Sequence, residues 1–302
     1  MTTQASASVA PSWLPRELFP YESRFVEIEG HRLHYVDEGS GPTLLLFHGN
    51  PTWSFLYRDI IARLRPRFRC VAVDYPGFGL SRAADNYDFL PASHARVVEG
   101  FVRAIGLAEF AVMVQDWGGP IGLWVAAQHA AQVRGLVIGN TWAWPIDGDP
   151  HFERFSKLAG GRVAAFAVRH FNAFVNVMMP MGVQRGKLDP RAMAAYRGPF
   201  PTKDSRAPTN VFPREIRGSS AFLGDVQTGL AALAAKPALI LWGDRDDAFR
   251  EQERQRFETV FPNHRTVILR GAGHYIQEDA PAEIAEAIAQ WWDAAVETRA
   301  SS

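Results

Sequence analysis

One cysteine, Cys70, is all that this 302-residue chain carries, so no internal disulfide is open to it. Set in the strand-like run Cys70-Val71-Ala72-Val73, it reads as a small core residue. Neither sign of charge is in excess: 32 Lys and Arg stand against 32 Asp and Glu. A nucleic-acid partner, which a basic field would favour, is therefore not expected. Nowhere do about 18 apolar residues run together, which excludes a spanning helix, and no membrane partner is expected. Residues 1–15 lack the charged segment and long apolar run of a signal peptide, so the expected location is the cytoplasm. The pair Gly77-Phe78-Gly79 lacks the third glycine of a dinucleotide fingerprint; Arg82 stands in its place, and the stretch reads as a turn. No motif calls for a cofactor or a metal.

What the chain does have is a rhythm of buried strands and helices. Residues 1–16, small, polar and broken by proline, read as a loose arm, and 296–302 as a polar tail. The alternating runs Phe25–Glu29 and Arg32–Val36 read as a hairpin turning at Gly30-His31. Solid apolar runs at 43–47, 70–74, 111–114, 133–140, 238–243 and 266–269 are strands of the kind buried on both faces, and helical segments fall between most of them. The rhythm breaks from 142 to 232, a stretch of helical patches rich in Phe and Met. The fold class expected is thus α/β: a mostly parallel central sheet in two parts, residues 1–141 and 233–302, with a helical cap, 142–232, inserted between them. In such sheets ligands bind beyond the carboxyl ends of the strands, where Asn50, Asp116, Asn140 and Asp246 all fall.

The stretch Ala111-Val112-Met113-Val114-Gln115-Asp116-Trp117-Gly118-Gly119 is strand, sharp turn, then helix. An elbow of this shape lifts a nucleophile above the sheet, and Asp116 takes that place, although Val114 stands where a small residue belongs. Taken alone, Asp116 could equally be an N-cap. Two later pieces decide between the readings: Gly243-Asp244-Arg245-Asp246 after one strand, and Gly273-His274 after the last. Nucleophile, acid and histidine then follow in the order of a hydrolase triad, with Asp246 the orienting acid and Asp244 and Asp247 solvated loop carboxylates.

An aspartate nucleophile narrows the reaction. A serine that displaced a group from a saturated carbon would leave a stable ether, whereas an aspartate leaves an ester whose own carbonyl water can attack. Asp116 therefore points to displacement at an sp³ carbon, followed by hydrolysis with water activated by His274. A departing halide needs N–H donors in a dry pocket, and Asn50 and Trp117 supply an amide and an indole beside the predicted site.

On these pieces, with His48-Gly49-Asn50-Pro51-Thr52-Trp53, the chain resembles the haloalkane dehalogenases of the α/β-hydrolase fold over most of residues 20–295. The resemblance implies that Asp116, His274 and Asp246 are the triad. It implies that Asn50 and Trp117 hold the halide ion, and that their backbone N–H groups form an oxyanion hole. It implies a small apolar halogenated substrate. Some members place the acid where Asn140 stands here, and others take the second halide donor from a cap tryptophan. Residues 145–236 contain none, which leaves Trp142 and Trp144 at the cap entrance as further candidates. An epoxide hydrolase would share the triad but wants cap tyrosines, and the cap offers only Tyr196. A haloacid dehalogenase would want arginines after the nucleophile, where Gly118-Gly119-Pro120-Ile121 supplies none. A luciferase-type oxygenase on the same scaffold would want the glutamate that Asn140 replaces. A non-catalytic small-molecule binder on this fold is the reading from another class.

Overall fold

A computed structural model describes residues 11–297. Its eight strands are β1 (Arg24–Ile28), β2 (His31–Glu38), β3 (Thr43–Phe47), β4 (Arg69–Val73), β5 (Phe110–Asp116), β6 (Val133–Thr141), β7 (Ala238–Gly243) and β8 (His264–Leu269). They form one sheet in the order β1-β2-β4-β3-β5-β6-β7-β8. The hairpin β1–β2 and the β2–β4 pair are antiparallel, and every later pair is parallel. The hairpin turns one residue earlier than the sequence suggests. Ile28 pairs with His31, and the two turn residues Glu29 and Gly30 both take positive φ, as a tight two-residue hairpin loop requires.

Helices α1 (Arg58–Leu64), α2 (Pro91–Ala104) and α3 (Gly118–Gln128) follow β3, β4 and β5. Between β6 and β7 lie α4 (Pro150–Ala159), α5 (Arg162–Phe171), α6 (Met179–Met181), α7 (Pro190–Arg197), α8 (Ala207–Gly218) and α9 (Ser220–Gly229). After β7 comes α10 (Glu251–Val260), and after β8 come α11 (Ile276–Asp279) and α12 (Pro281–Trp291). Among the described residues, no helix is long and apolar enough to cross a membrane.

Burial follows composition. Every residue of β3 is buried, and α3, apolar all round, sits at the centre with Ile121, Leu123, Val125 and Ala126 buried. Strand β8 is an edge, exposed at its first two residues and half-buried over the next three, which is why its start at His264 carries no apolar signal.

The ends differ from the loose arm and tail that the sequence suggests. The first ten residues and those after 297 lie outside the described residues. Trp13, however, sets its ring edge-on to Trp53 at 5.9 Å, and Leu14 and Val296 are buried. Large apolar side chains at 13 and 14 outweigh the prolines around them, because leaving them in water would forgo roughly 1.5–3 kcal/mol each.

Candidate active site

Strand β5 ends in a turn at Asp116, whose φ of +51° is left-handed. For a non-glycine residue this costs of order 1–3 kcal/mol, and the surroundings hold it. The Thr141 hydroxyl donates to the Asp116 carbonyl, and the β5–β6 register slips between Val114 and Asp116, where the chain leaves the sheet. Asp116 is thus the elbow residue, and Trp117, not Asp116, precedes the first turn of α3. Val114, which breaks the sequence pattern, is accommodated from the opposite side. A Cβ on Gly122 of α3 would come within 2.7 Å of the Val114 Cγ1, so the smallness that the pattern wants at 114 is supplied at 122.

The five residues singled out from the sequence come together. The Asn50 backbone N–H donates to Asp116 Oδ1 at 2.7 Å. This approach depends on Gly49, where a Cβ would lie 2.2 Å from the same oxygen. The buried His48 ring bridges β3 to β4, with Nδ1 2.9 Å from the Gly49 carbonyl and Nε2 accepting from Tyr75 N–H at 3.1 Å. Burial holds that imidazole neutral, with its pKa pushed down to about 4. On the other side of Asp116, Oδ2 lies 3.5 Å from His274 Nε2. His274 Nδ1 lies 3.0 Å from Asp246 Oδ2. Asp246 is fixed in turn by Asn140 Nδ2 at 2.8 Å and by the Ala248 N–H at 2.7 Å.

Above this line is a cavity of about 170 Å³. Asn50, Asp116, Trp117 and His274 line its floor, and Phe152, Phe155, Phe174, Met178 and Met181, all from the insertion, line its walls. Among the described residues, no group accepts a hydrogen bond from the Trp117 indole. The Asn50 amide has only a 3.5 Å contact with the Thr209 carbonyl. Two donors thus face the cavity with little else to bind. Trp142 also lines it, with its indole nitrogen buried and unpaired, whereas Trp144 lies elsewhere, against Phe257 and Arg256.

Residues 42–281 match the family model described as the alpha/beta hydrolase fold. "Haloalkane dehalogenase 2" of Mycobacterium tuberculosis is 44% identical over 274 residues, which span 90% of this chain and 95% of that one. The chain belongs to the haloalkane dehalogenases. The crystal structure of the haloalkane dehalogenase DbeA from Bradyrhizobium elkani superposes with a TM-score of 0.83 at 29% identity, covering 92% of this chain and 99% of that one. A relative of different name, "Cis-3-alkyl-4-alkyloxetan-2-one decarboxylase" of Shewanella oneidensis, is 30% identical over 88% of this chain and 87% of its own length.

In this dehalogenase two site residues carry no motif of their own. Gln115 is fully buried; its Nε2 donates to the His274 carbonyl at 3.0 Å and stands 3.2 Å from His274 Nε2. Asn140 ties Asp246 to the end of β7 by accepting from Gly243 N–H at 2.8 Å. The signal available for each is a polar residue ending an otherwise apolar strand. Tyr196, the one tyrosine between β6 and β7, turns away from the cavity and donates to Glu278, which also pairs with Arg58 at 2.7 Å. Of the two backbone donors expected for an oxyanion, Asn50 N–H is bonded to Asp116, while Trp117 N–H makes no bond to that carboxylate among the described residues.

Burial works against a charge on His274, but the two carboxylates beside it prevail. Asp246 contributes most and Asp116 next, and together they raise the imidazole pKa to about 10. In Asp116→Asn the second carboxylate is gone, so the histidine should titrate at lower pH, which an NMR titration of the ring will show. The stability consequence has a definite sign. The folded pKa lies above the unfolded one, so the ion pairs contribute fully below pH 6.5 and lose that contribution as pH rises to about 10. Urea midpoints of the wild-type protein should fall across that window more steeply than those of Asp116→Asn.

Proposed function

We propose that this chain hydrolyses haloalkanes to an alcohol, a halide ion and a proton, through an alkyl ester on Asp116. The observation that carries the reading is one carboxylate meeting a histidine–aspartate pair on one side and, on the other, a cavity floored by the Trp117 indole and by an Asn50 amide held only by a long 3.5 Å contact. In the first step Asp116 Oδ2 attacks the carbon that bears the halogen. The C–O bond forms, the C–X bond breaks, and the halide leaves toward the Asn50 amide and the Trp117 indole. In the second step His274 Nε2 takes a proton from water, and the hydroxide attacks Cγ of the ester. The oxyanion forms at the oxygen already bonded to Asn50 N–H. Collapse expels the alcohol and restores the carboxylate. The first step prepares the second: an ester carries no charge, so one of the two carboxylates holding a proton on His274 disappears as the ester forms. We read residues 142–232 as the cap closing this cavity, and a cytoplasmic location goes with the buried free thiol of Cys70.

The test is halide and acid release from 1-bromobutane in weak buffer, in equal amounts. Replacing Asn50 with alanine should remove one hydrogen bond to the departing anion, a loss of about 1.5–3 kcal/mol and so roughly 10- to 150-fold in turnover. Pre-steady-state halide release checks this, and the urea midpoint should stay near wild type.

The Shewanella oneidensis relative supports a second reading, since a cis-3,4-dialkyloxetan-2-one also offers Asp116 a saturated carbon, with a carboxylate as leaving group. Attack at ring carbon 4 opens the ring. Loss of CO₂ with return of the Asp116 carboxylate then forms the alkene, and no water is consumed. CO₂ release from such a substrate, without halide release from 1-bromobutane, selects this reading.

A further inference from the structure

Among the described residues, the large hydrophobic side chains left exposed all lie in one short part of the insertion: Leu158, Val163, Phe166, Phe171, Val177 and Met181. Helix α5 shows the arrangement. Val163 (86% exposed) and Phe166 (57%) share a face with His170, whose ring stacks on Phe166 at 4.2 Å, while Val168, off that face, is buried. The sequence is rich in cations here too. From the start of α4 to the end of α8, residues 150–218 hold twelve Lys and Arg against four Asp and Glu, in a chain whose formal net charge is zero. Three of these cations stand close to the apolar face: desolvation, then the charges of Lys203, Arg169 and Arg206, hold the His170 pKa below its usual value. Five of the twelve are ion-paired, Arg169 with Asp204, Lys157 with Glu153, Arg191 with Asp189, Arg214 with Glu215 and Arg185 with Glu283, so the excess of cations is partly neutralised.

We propose that this face of the insertion docks on an anionic phospholipid surface, with α5 lying in the headgroup region and the cavity mouth at Met181 turned toward the bilayer. An apolar face bordered by cations is what an interfacial helix needs, and each Lys or Arg near such a surface adds to binding. The alternative occupant, a second copy of this chain, would set the same cationic patch against itself, because a two-fold interface joins identical surfaces. The position of the mouth adds a reason. Met181 is 64% exposed and also lines the cavity, so an apolar molecule dissolved in lipid would meet the cavity without crossing water. The absence of a spanning helix, from which no membrane partner was expected, does not bear on a surface contact. The docking itself does not depend on the catalytic reading.

The test is co-sedimentation of the full chain with vesicles of phosphatidylcholine holding a third phosphatidylglycerol, and with pure phosphatidylcholine. Expected results are binding to the anionic vesicles at 50 mM salt and its loss at 500 mM. Val163→Glu/Phe166→Glu should bind at least tenfold more weakly, and Arg162→Gln/Arg169→Gln roughly fivefold more weakly per cation removed. Both variants should turn over a water-soluble haloalkane as wild type does, which shows that they are folded. Absence of binding to the anionic vesicles, or binding that Val163→Glu/Phe166→Glu leaves intact, overturns the proposal. So does a concentration-dependent dimer that the same variant abolishes, which assigns the face to a second copy.

Discussion

Replacing His274 with phenylalanine is expected to stop turnover after a single halide per molecule and to leave Asp116 alkylated. Phenylalanine keeps a ring in the place beneath Phe249, 5.6 Å from the present imidazole, so the cavity floor keeps its shape. The attacking carboxylate and both halide donors remain, so the first step proceeds. The second step loses the ring nitrogen set 3.5 Å from Asp116 and oriented by Asp246, and with it the base that would deprotonate water. After exposure to 1-bromobutane, intact-mass analysis should show one butyl group in place of a proton, and fragmentation should locate it on the peptide containing Asp116. An unchanged mass together with an unchanged rate would remove His274 from the second step.

Asparagine at 116 should abolish even the first halide. A carboxamide oxygen is a far weaker nucleophile than a carboxylate, and loss of a nucleophile of this kind has cost about 10⁴-fold or more in turnover elsewhere. Asparagine is the informative replacement because it tolerates the left-handed backbone that the elbow imposes, whereas alanine would add strain at φ +51°. The hydrogen bond from Asn50 N–H can be kept by the amide oxygen. The variant should therefore fold, release no halide, and take up no alkyl mass. Residual halide release within tenfold of wild type would mean that another group attacks.

How much of this was legible in the chain depends on how local each signal is. Asp116, Asp246 and His274 each sit where an apolar strand gives way to a small-residue turn, and both the strand and the turn are written in adjacent residues. The parallel sheet follows from the same runs. Gln115, by contrast, matters through a contact with His274, 159 residues away, and nothing beside it in the sequence announces that. Val114 looked like a defect in the elbow because the residue that compensates for it, Gly122, lies across a helix–strand contact. Tyr196 could have served the cavity as far as composition goes, and only packing shows it committed to Glu278. Trp13 and Leu14 were hidden by their prolines and their position near the start. The run of helices between β6 and β7 was legible as an aromatic and Met-rich interruption of the strand rhythm. Which of its apolar side chains close the cavity and which face outward was not, because its helices are short and broken and a three- or four-residue spacing fits both faces.

The covalent route makes one prediction that no other route shares. Water attacks the carbonyl carbon of Asp116, not the carbon of the substrate, so the oxygen of the first alcohol comes from the protein. In a single turnover with enzyme in excess, run in ¹⁸O-labelled water, the alcohol should carry ordinary oxygen and the label should appear in the peptide containing Asp116. Label in the first alcohol, with none on Asp116, would contradict the account at its centre.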